Sequence, residues 1–212
     1  MKIILMGPPG SGKGTQAVHI ALTKGVKSIS SGDLFRENLS MNTELGRLAK
    51  SFMDKGEYVP DKITIDMVMG WIDNPEHSAG FVLDGFPRTL AQAEALEERL
   101  ADKGGVDRVI FFNVPEGVLV SRLSSRFICR SCHTPYNDIS SPPLAVGKCD
   151  LCHGELYQRD DDQADVVRNR LSVYMRETEP VVDHFRQMGK LFEIDASQKI
   201  EDVRGLLEKA IR

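Results

Sequence analysis

Four short apolar runs, at residues 3–6, 81–83, 109–112 and 191–194, have the length of buried strands. Between them, as at residues 89–100 and 166–185, apolar side chains return every three or four positions, the spacing of a helix with one buried face. Strands alternating with helices predict an α/β fold, a parallel sheet with helices on both faces. Two segments break the alternation. Residues 30–59 read as two helices with no strand between them, and residues 126–162 carry turn chemistry throughout, including Pro142-Pro143. A stretch of that length without elements of its own is usually functional. Both are expected as insertions at the carboxyl edge of the sheet, where open α/β folds bind ligands.

The first apolar run leads directly into GPPGSGKGT, residues 7–15, and a helical pattern follows. The phosphate-loop pattern G-x-x-x-x-G-K-[ST] matches from Gly7 to Lys13, but Gly14 stands where Ser or Thr belongs and Thr15 comes one place late. Gly10, Gly12 and Gly14 let successive backbone N–H groups turn inward around phosphate oxygens, with Ser11 and Thr15 beside them. The next helix adds its N-terminal dipole and Lys13 a mobile positive charge. The fold class sharpens to a P-loop NTPase-type sheet. The displaced hydroxyl shifts the expected Mg²⁺ contact to carboxylates acting through water, such as Asp84. The absence of an Asn-Lys-x-Asp motif argues against a GTP switch.

Composition narrows the function classes. The 212 residues are 41% hydrophobic and 27% charged, ordinary for a soluble protein, and can bury one good core. A formal net charge of -4 argues against sequence-independent nucleic-acid binding. No apolar run is long enough to cross a bilayer, and MKIILMG is too short for a signal-peptide core. The expectation is a cytoplasmic protein with reduced thiols.

The motifs GPPGSGKGTQ, SSGDLFR (30–36), DGFPRTLAQA (84–93) and ELYQRDDD (155–162), in this order, resemble the adenylate kinases over essentially the whole chain. The resemblance implies reversible, Mg²⁺-dependent phosphoryl transfer, ATP + AMP = 2 ADP, serving adenine-nucleotide balance, in a monomer without nucleic-acid or membrane partners. It implies a core of residues 1–29, 60–125 and 163–212, a mobile monophosphate-binding segment at 30–59 and a mobile lid at 126–162. It assigns Ser31, Arg36, the backbone from Glu57 through Tyr58 to Val59, Gly85, Phe86, Pro87, Arg88 and Gln92 to AMP, with Arg159 and Arg170. It assigns the phosphate loop, Arg126, Pro135, Tyr136 and the backbone of Gln198 to ATP. Lys13, Arg88, Arg122, Arg159 and Arg170 are the expected stabilisers of transition-state charge, and Asp161 and Asp162 are expected to help close the lid. Two departures stand out: Asn137 where many bacterial relatives carry a histidine near the ATP base, and Ser31 for the commoner threonine.

All four cysteines lie in the expected lid, spaced C-x₂-C-x₁₆-C-x₂-C, within the range of a Cys₄ zinc site. Two turns that each offer two thiolates would close a tetrahedron over Cys129, Cys132, Cys149 and Cys152, making the metal structural. Iron or another metal fits the same set. A redox dithiol would more naturally use one pair beside a thioredoxin-like core, and haem attachment at Cys132-His133 and Cys152-His153 requires export. The resemblance supports zinc, since many Gram-positive-type relatives carry such a lid. The nearest rival function is a kinase of the same fold acting on UMP or CMP, or using GTP as donor. A zinc-ribbon nucleic-acid binder is more distant, and the acidic balance stands against it.

Overall fold

The computed structural model describes residues 1–211; Arg212, the last residue of the expected core, lies outside the described residues. Its strands are β1 (Lys2–Met6), β2 (Lys27–Ser30), β3 (Phe81–Asp84), β4 (Arg108–Asn113), β5 (Arg126–Cys129), β6 (Pro135–Asn137), β7 (Leu156–Tyr157) and β8 (Leu191–Asp195). Its α-helices are α1 (Lys13–Lys24), α2 (Ser31–Ser40), α3 (Glu44–Met53), α4 (Asp61–Ile72), α5 (Leu90–Leu100), α6 (Glu116–Ser124), α7 (Ala164–Glu177), α8 (Glu179–Gln187) and α9 (Ile200–Ala210). One sheet has five strands, all pairs parallel, in the order β2-β3-β1-β4-β8.

The pleat explains why the central strands read as unbroken apolar runs. Ile3 and Leu5 of β1 face one core with Val82, Ile110 and Phe112. Ile4 and Met6 face the other with Phe81, Leu83 and Val109. Helices cover both faces, so both sets of alternating side chains need to be apolar. Burying each such side chain contributes about 1.5–3 kcal/mol, and truncating Ile4 to Ala would cost about 2–5 kcal/mol. The edge strand β2 escaped the sequence pattern because KSIS has only Ile29 to pack against the core.

The predicted helix over 166–185 is two helices. Thr178 separates α7 from α8, and Pro180 sits in the first turn of α8, where a missing N–H costs nothing. The 30–59 segment holds α2 and α3 as read, around a small cluster of Phe35, Ala49 and Val59. Thr43 caps α3 by accepting from the Gly46 N–H at 3.0 Å. Gly46 lets the two helices meet: a Cβ there would lie 2.4 Å from the Asn38 carbonyl carbon.

The 126–162 segment has more structure than its turn-rich sequence suggested. Its strands form an antiparallel sheet in the order β6-β5-β7. Its apolar core is slight, with Cys129, Tyr136 and Cys149 buried and Phe127 and Leu156 packed against them.

Candidate active site

The site lies beyond the carboxyl ends of β1 and β3, where the strand order reverses on either side of β1. Gly10 and Gly12 adopt φ of +84° and +92°, and a Cβ on Gly10 would stand 2.9 Å from Leu123 Cγ. Conformation and space together favour glycine at position 10, and conformation alone does at position 12. α1 starts without a side-chain cap, which leaves first-turn N–H groups available to an anion. Lys13 folds back over the loop, its Nζ donating to the carbonyls of Gly7 (2.7 Å) and Pro8 (2.9 Å) and to Ser11 Oγ (3.2 Å). Burial lowers its pKa to about 8, and Arg88, Arg170 and Arg126 push the same way against Asp84. Burial also holds the Asp84 carboxyl above its usual range, with Lys13 opposing. A Cβ on Gly14 would come 3.3 Å from Asp84 Oδ2, so this carboxylate occupies the side where a loop hydroxyl would project.

Around the other end of the cleft, Ser31 Oγ and Arg88 Nε both donate to the Gly85 carbonyl, each at 2.7 Å. The Arg88 guanidinium lies 5.0 Å from the centroid of the Tyr58 ring. Thr178 Oγ1 donates to the Arg88 carbonyl at 2.9 Å, which spends its only proton. Tyr58 must then be the donor in its 2.8 Å contact with Thr178. Gln92 is 1% exposed; its Oε1 accepts from the Arg88 N–H at 2.8 Å and its Nε2 donates to Asp61 Oδ1 at 2.7 Å.

Carboxylates hold the remaining arginines. Arg126 makes a two-point pair with Asp162, Nε to Oδ2 at 2.8 Å and Nη2 to Oδ1 at 2.5 Å. The Asp162 side chain is fully buried and also accepts from Arg170 Nη1 at 3.1 Å. The same Arg170 nitrogen lies 3.0 Å from Asp161. Arg159 reaches across to Asp33 of α2 at 3.7 Å, and Asp33 also pairs with Arg36. Burial, with Arg36 and Arg126 nearby, lowers Arg159 to about 10, and its buried Nε has no partner among the described residues. Arg122 is committed differently. Its guanidinium donates to the carbonyls of Ala196 (2.9 Å), Ser197 (3.1 Å) and Gln198 (3.4 Å), at the end of the cleft away from Asp33 and Arg36.

The sequence-predicted residues converge. One cleft of about 1310 Å³ is lined by the phosphate loop, Ser31, Arg36, Glu57 to Val59, Gly85, Pro87, Gln92, Pro135, Tyr136, Gln198, Asp84 and all five predicted catalytic residues. Phe86 is the exception, its ring packed into the sheet core. The Tyr136 side chain turns away into the cysteine cluster, its hydroxyl accepting from the Asp150 N–H at 2.7 Å. Asn137 serves the backbone. Its Nδ2 donates to the Arg122 carbonyl (2.9 Å) and to Ser125 Oγ (3.0 Å), and its Oδ1 accepts from the N–H groups of Ile139 and Ser140.

The four thiol sulfurs lie within 4.8 Å of one another, with separations of 3.3 and 3.4 Å along the Cys129-Cys152-Cys132-Cys149 path. Each Cys-x-x-Cys-His forms the same knuckle. His133 N–H donates to the Cys129 carbonyl and His153 N–H to the Cys149 carbonyl, both histidines at φ +58°. The histidines thus close turns with their backbones, and the four sulfurs alone form a set able to hold a metal ion.

A nucleotide-phosphate cleft of this build has clear relatives. The family model described as Adenylate kinase matches residues 5–190. Proteins named Adenylate kinase from Methanocella arvoryzae and Listeria monocytogenes are 48% and 49% identical, each covering 100% of this chain and 99% of their own length. One from Archaeoglobus fulgidus is 47% identical over 99% of both chains. The chain belongs to the adenylate kinase family. It is a phosphotransferase with the P-loop fold of that family, and among the described residues no helix is long and apolar enough to cross a membrane.

Three site residues were not singled out in the sequence. Thr178 had a signal, since Thr-Glu-Pro interrupts a helical pattern where a break is expected. Asp33 lay inside SSGDLFR without a distinct mark. Asp61, the first residue of α4, shows its role only through its partners Thr89 and Gln92.

Proposed function

We propose that this kinase transfers the terminal phosphoryl group of ATP to AMP, reversibly, within the single cleft. The observation that carries the reading is the convergence of Lys13, Arg88, Arg126, Arg159 and Arg170 there. Lys13 is pulled to about 8 and Arg159 to about 10 by burial and by neighbouring cations. Such a cluster is poised for a polyanion, and phosphoryl transfer needs charge neutralisation and in-line placement more than covalent catalysis. Arg36 and Arg88 take the acceptor phosphate, and the phosphate loop and Arg126 take the donor chain. Lys13, Arg159 and Arg170 meet the group in flight, and Arg122 with the 196–198 backbone shapes the donor-base end. Mg²⁺ carried by ATP would neutralise charge between the donor phosphates, and Asp84 is the carboxylate that would hold it through water.

Residues 30–59 and 126–162 act as the moving parts, closing over the nucleotides to exclude water. The four thiols suit Zn²⁺, whose bonds of about 2.3 Å to sulfur place tetrahedral ligands about 3.8 Å apart. The metal is a structural clasp. The working form is a cytoplasmic monomer. A coupled assay comparing AMP, CMP, UMP and GMP as acceptors, with ATP or GTP as donor, should favour the ATP–AMP pair. Arg88→Ala should retain the fold and lose about 100-fold or more in kcat. Faster transfer to CMP or UMP would reassign the enzyme within the fold.

A further inference from the structure

Gln92 is an amide pinned at both ends. A backbone N–H can only donate, and the Arg88 N–H reaches Oε1 at 2.8 Å. A carboxylate can only accept, and Asp61 Oδ1 receives Nε2 at 2.7 Å. The second Asp61 oxygen accepts from Thr89 Oγ1 at 2.9 Å, which turns a Thr89 lone pair toward the Gln92 N–H at 3.3 Å. Proton directions agree all around this ring, so reversing the amide would set donor against donor at Arg88 and acceptor against acceptor at Asp61. Each pin leaves one valence over: a lone pair on Oε1 and an N–H on Nε2, with no further partner among the described residues. Gln92 lines the cleft beside Ser31, Phe35, Met53, Val59 and Thr64, a small polar and apolar slot.

We propose that Asp61 and the Arg88 N–H form a two-ended lock holding the Gln92 amide in the one orientation that reads a 6-aminopurine and rejects a 6-oxopurine. The proposal rests on the slot receiving the acceptor base. Adenine offers an amino donor at position 6 beside an acceptor nitrogen at position 1, which meets a carbonyl-then-amide order. Hypoxanthine and guanine reverse both, offering an acceptor oxygen and an N–H, and would need the amide turned over. Asp61 is thus a positioning residue for acceptor choice, acting through Gln92.

IMP is the sharpest probe, since it differs from AMP only at that edge. Asp61→Ala should raise the kcat/KM of IMP relative to AMP by about tenfold or more, the worth of one charge-assisted hydrogen bond. The change should fall in KM, with kcat for AMP nearly kept. Asp61→Asn, which keeps an acceptor oxygen without the charge, should fall between, and it carries the test if the alanine variant fails to fold. Thr89→Val removes the helix cap and one of the two hydrogen bonds to Asp61 but leaves both pins. It should lower stability while moving the IMP-to-AMP ratio less than either Asp61 variant. An unchanged ratio in the Asp61 variants, with AMP and IMP weakened alike, would overturn the lock. A wild-type enzyme that does not prefer AMP over IMP and GMP would instead overturn the assignment of the slot to adenine.

Discussion

Lys13 shows what one residue's environment predicts. Burial holds its pKa at about 8, well below the 10.5 of a free lysine. A bound polyphosphate supplies the missing counter-charge and returns the pKa upward. The bound form therefore holds more protons than the free form above pH 8, so ATP binding takes up a proton there. Affinity should fall as pH rises through that range, by up to tenfold per unit. Calorimetry at pH 8.5 in buffers of different ionisation enthalpy should register the uptake, and Lys13→Met should abolish it. No uptake in the wild type would contradict this account. Lys13 was legible in the sequence because its neighbours in GPPGSGKGT define it. Asn137 and Asp61 were not, because their work is to satisfy backbone and side-chain groups that only the fold brings near.

Among the elements, four of the five strands of the parallel sheet were legible, the edge strand β8 included, and only the other edge, β2, was not. β1 and β4 are buried on both faces and have to be apolar throughout, whereas β2 needs only Ile29. The same logic hid the small β6-β5-β7 sheet, whose core is made largely of cysteine and tyrosine. With so little apolar surface, the proposed lid would depend on the proposed metal clasp for order. Chelation should melt it ahead of the core. Amide exchange across residues 126–162 should rise toward the unfolded rate while β1 and β4 stay protected, and activity should fall as the lid arginines lose their places. Simultaneous loss of protection in β1 would show that the clasp serves the whole chain. The break between α7 and α8 makes a second prediction at this scale. Thr178→Val keeps the shape but strands the Arg88 carbonyl and the Tyr58 hydroxyl. Chemical denaturation should show a loss of about 1–3 kcal/mol, with a raised KM for AMP.

Across the whole molecule, the proposed lid, residues 126–162, is fastened where its chain enters and leaves. Arg126 begins the segment, Asp162 ends it, and Arg170 belongs to α7 of the core, so one buried carboxylate joins both crossings to the body. Burying Asp162 is costly unless both arginines satisfy it, and burying the arginines together is costly without it. The network therefore fixes the root of residues 126–162, while in the proposed lid motion the Arg159–Asp33 contact belongs to the far side that would open and close. These roles separate in variants. Asp162→Asn leaves Arg126 and Arg170 facing each other without their shared negative charge, and should cost about 3–5 kcal/mol in denaturant unfolding together with most of kcat. Asp33→Asn removes a half-exposed partner, should cost under about 1 kcal/mol, and should shift the open–closed balance of a lid-to-α2 fluorescence pair. Equal losses of stability in both variants would mean that root and tip are one rigid unit and that closure is carried elsewhere.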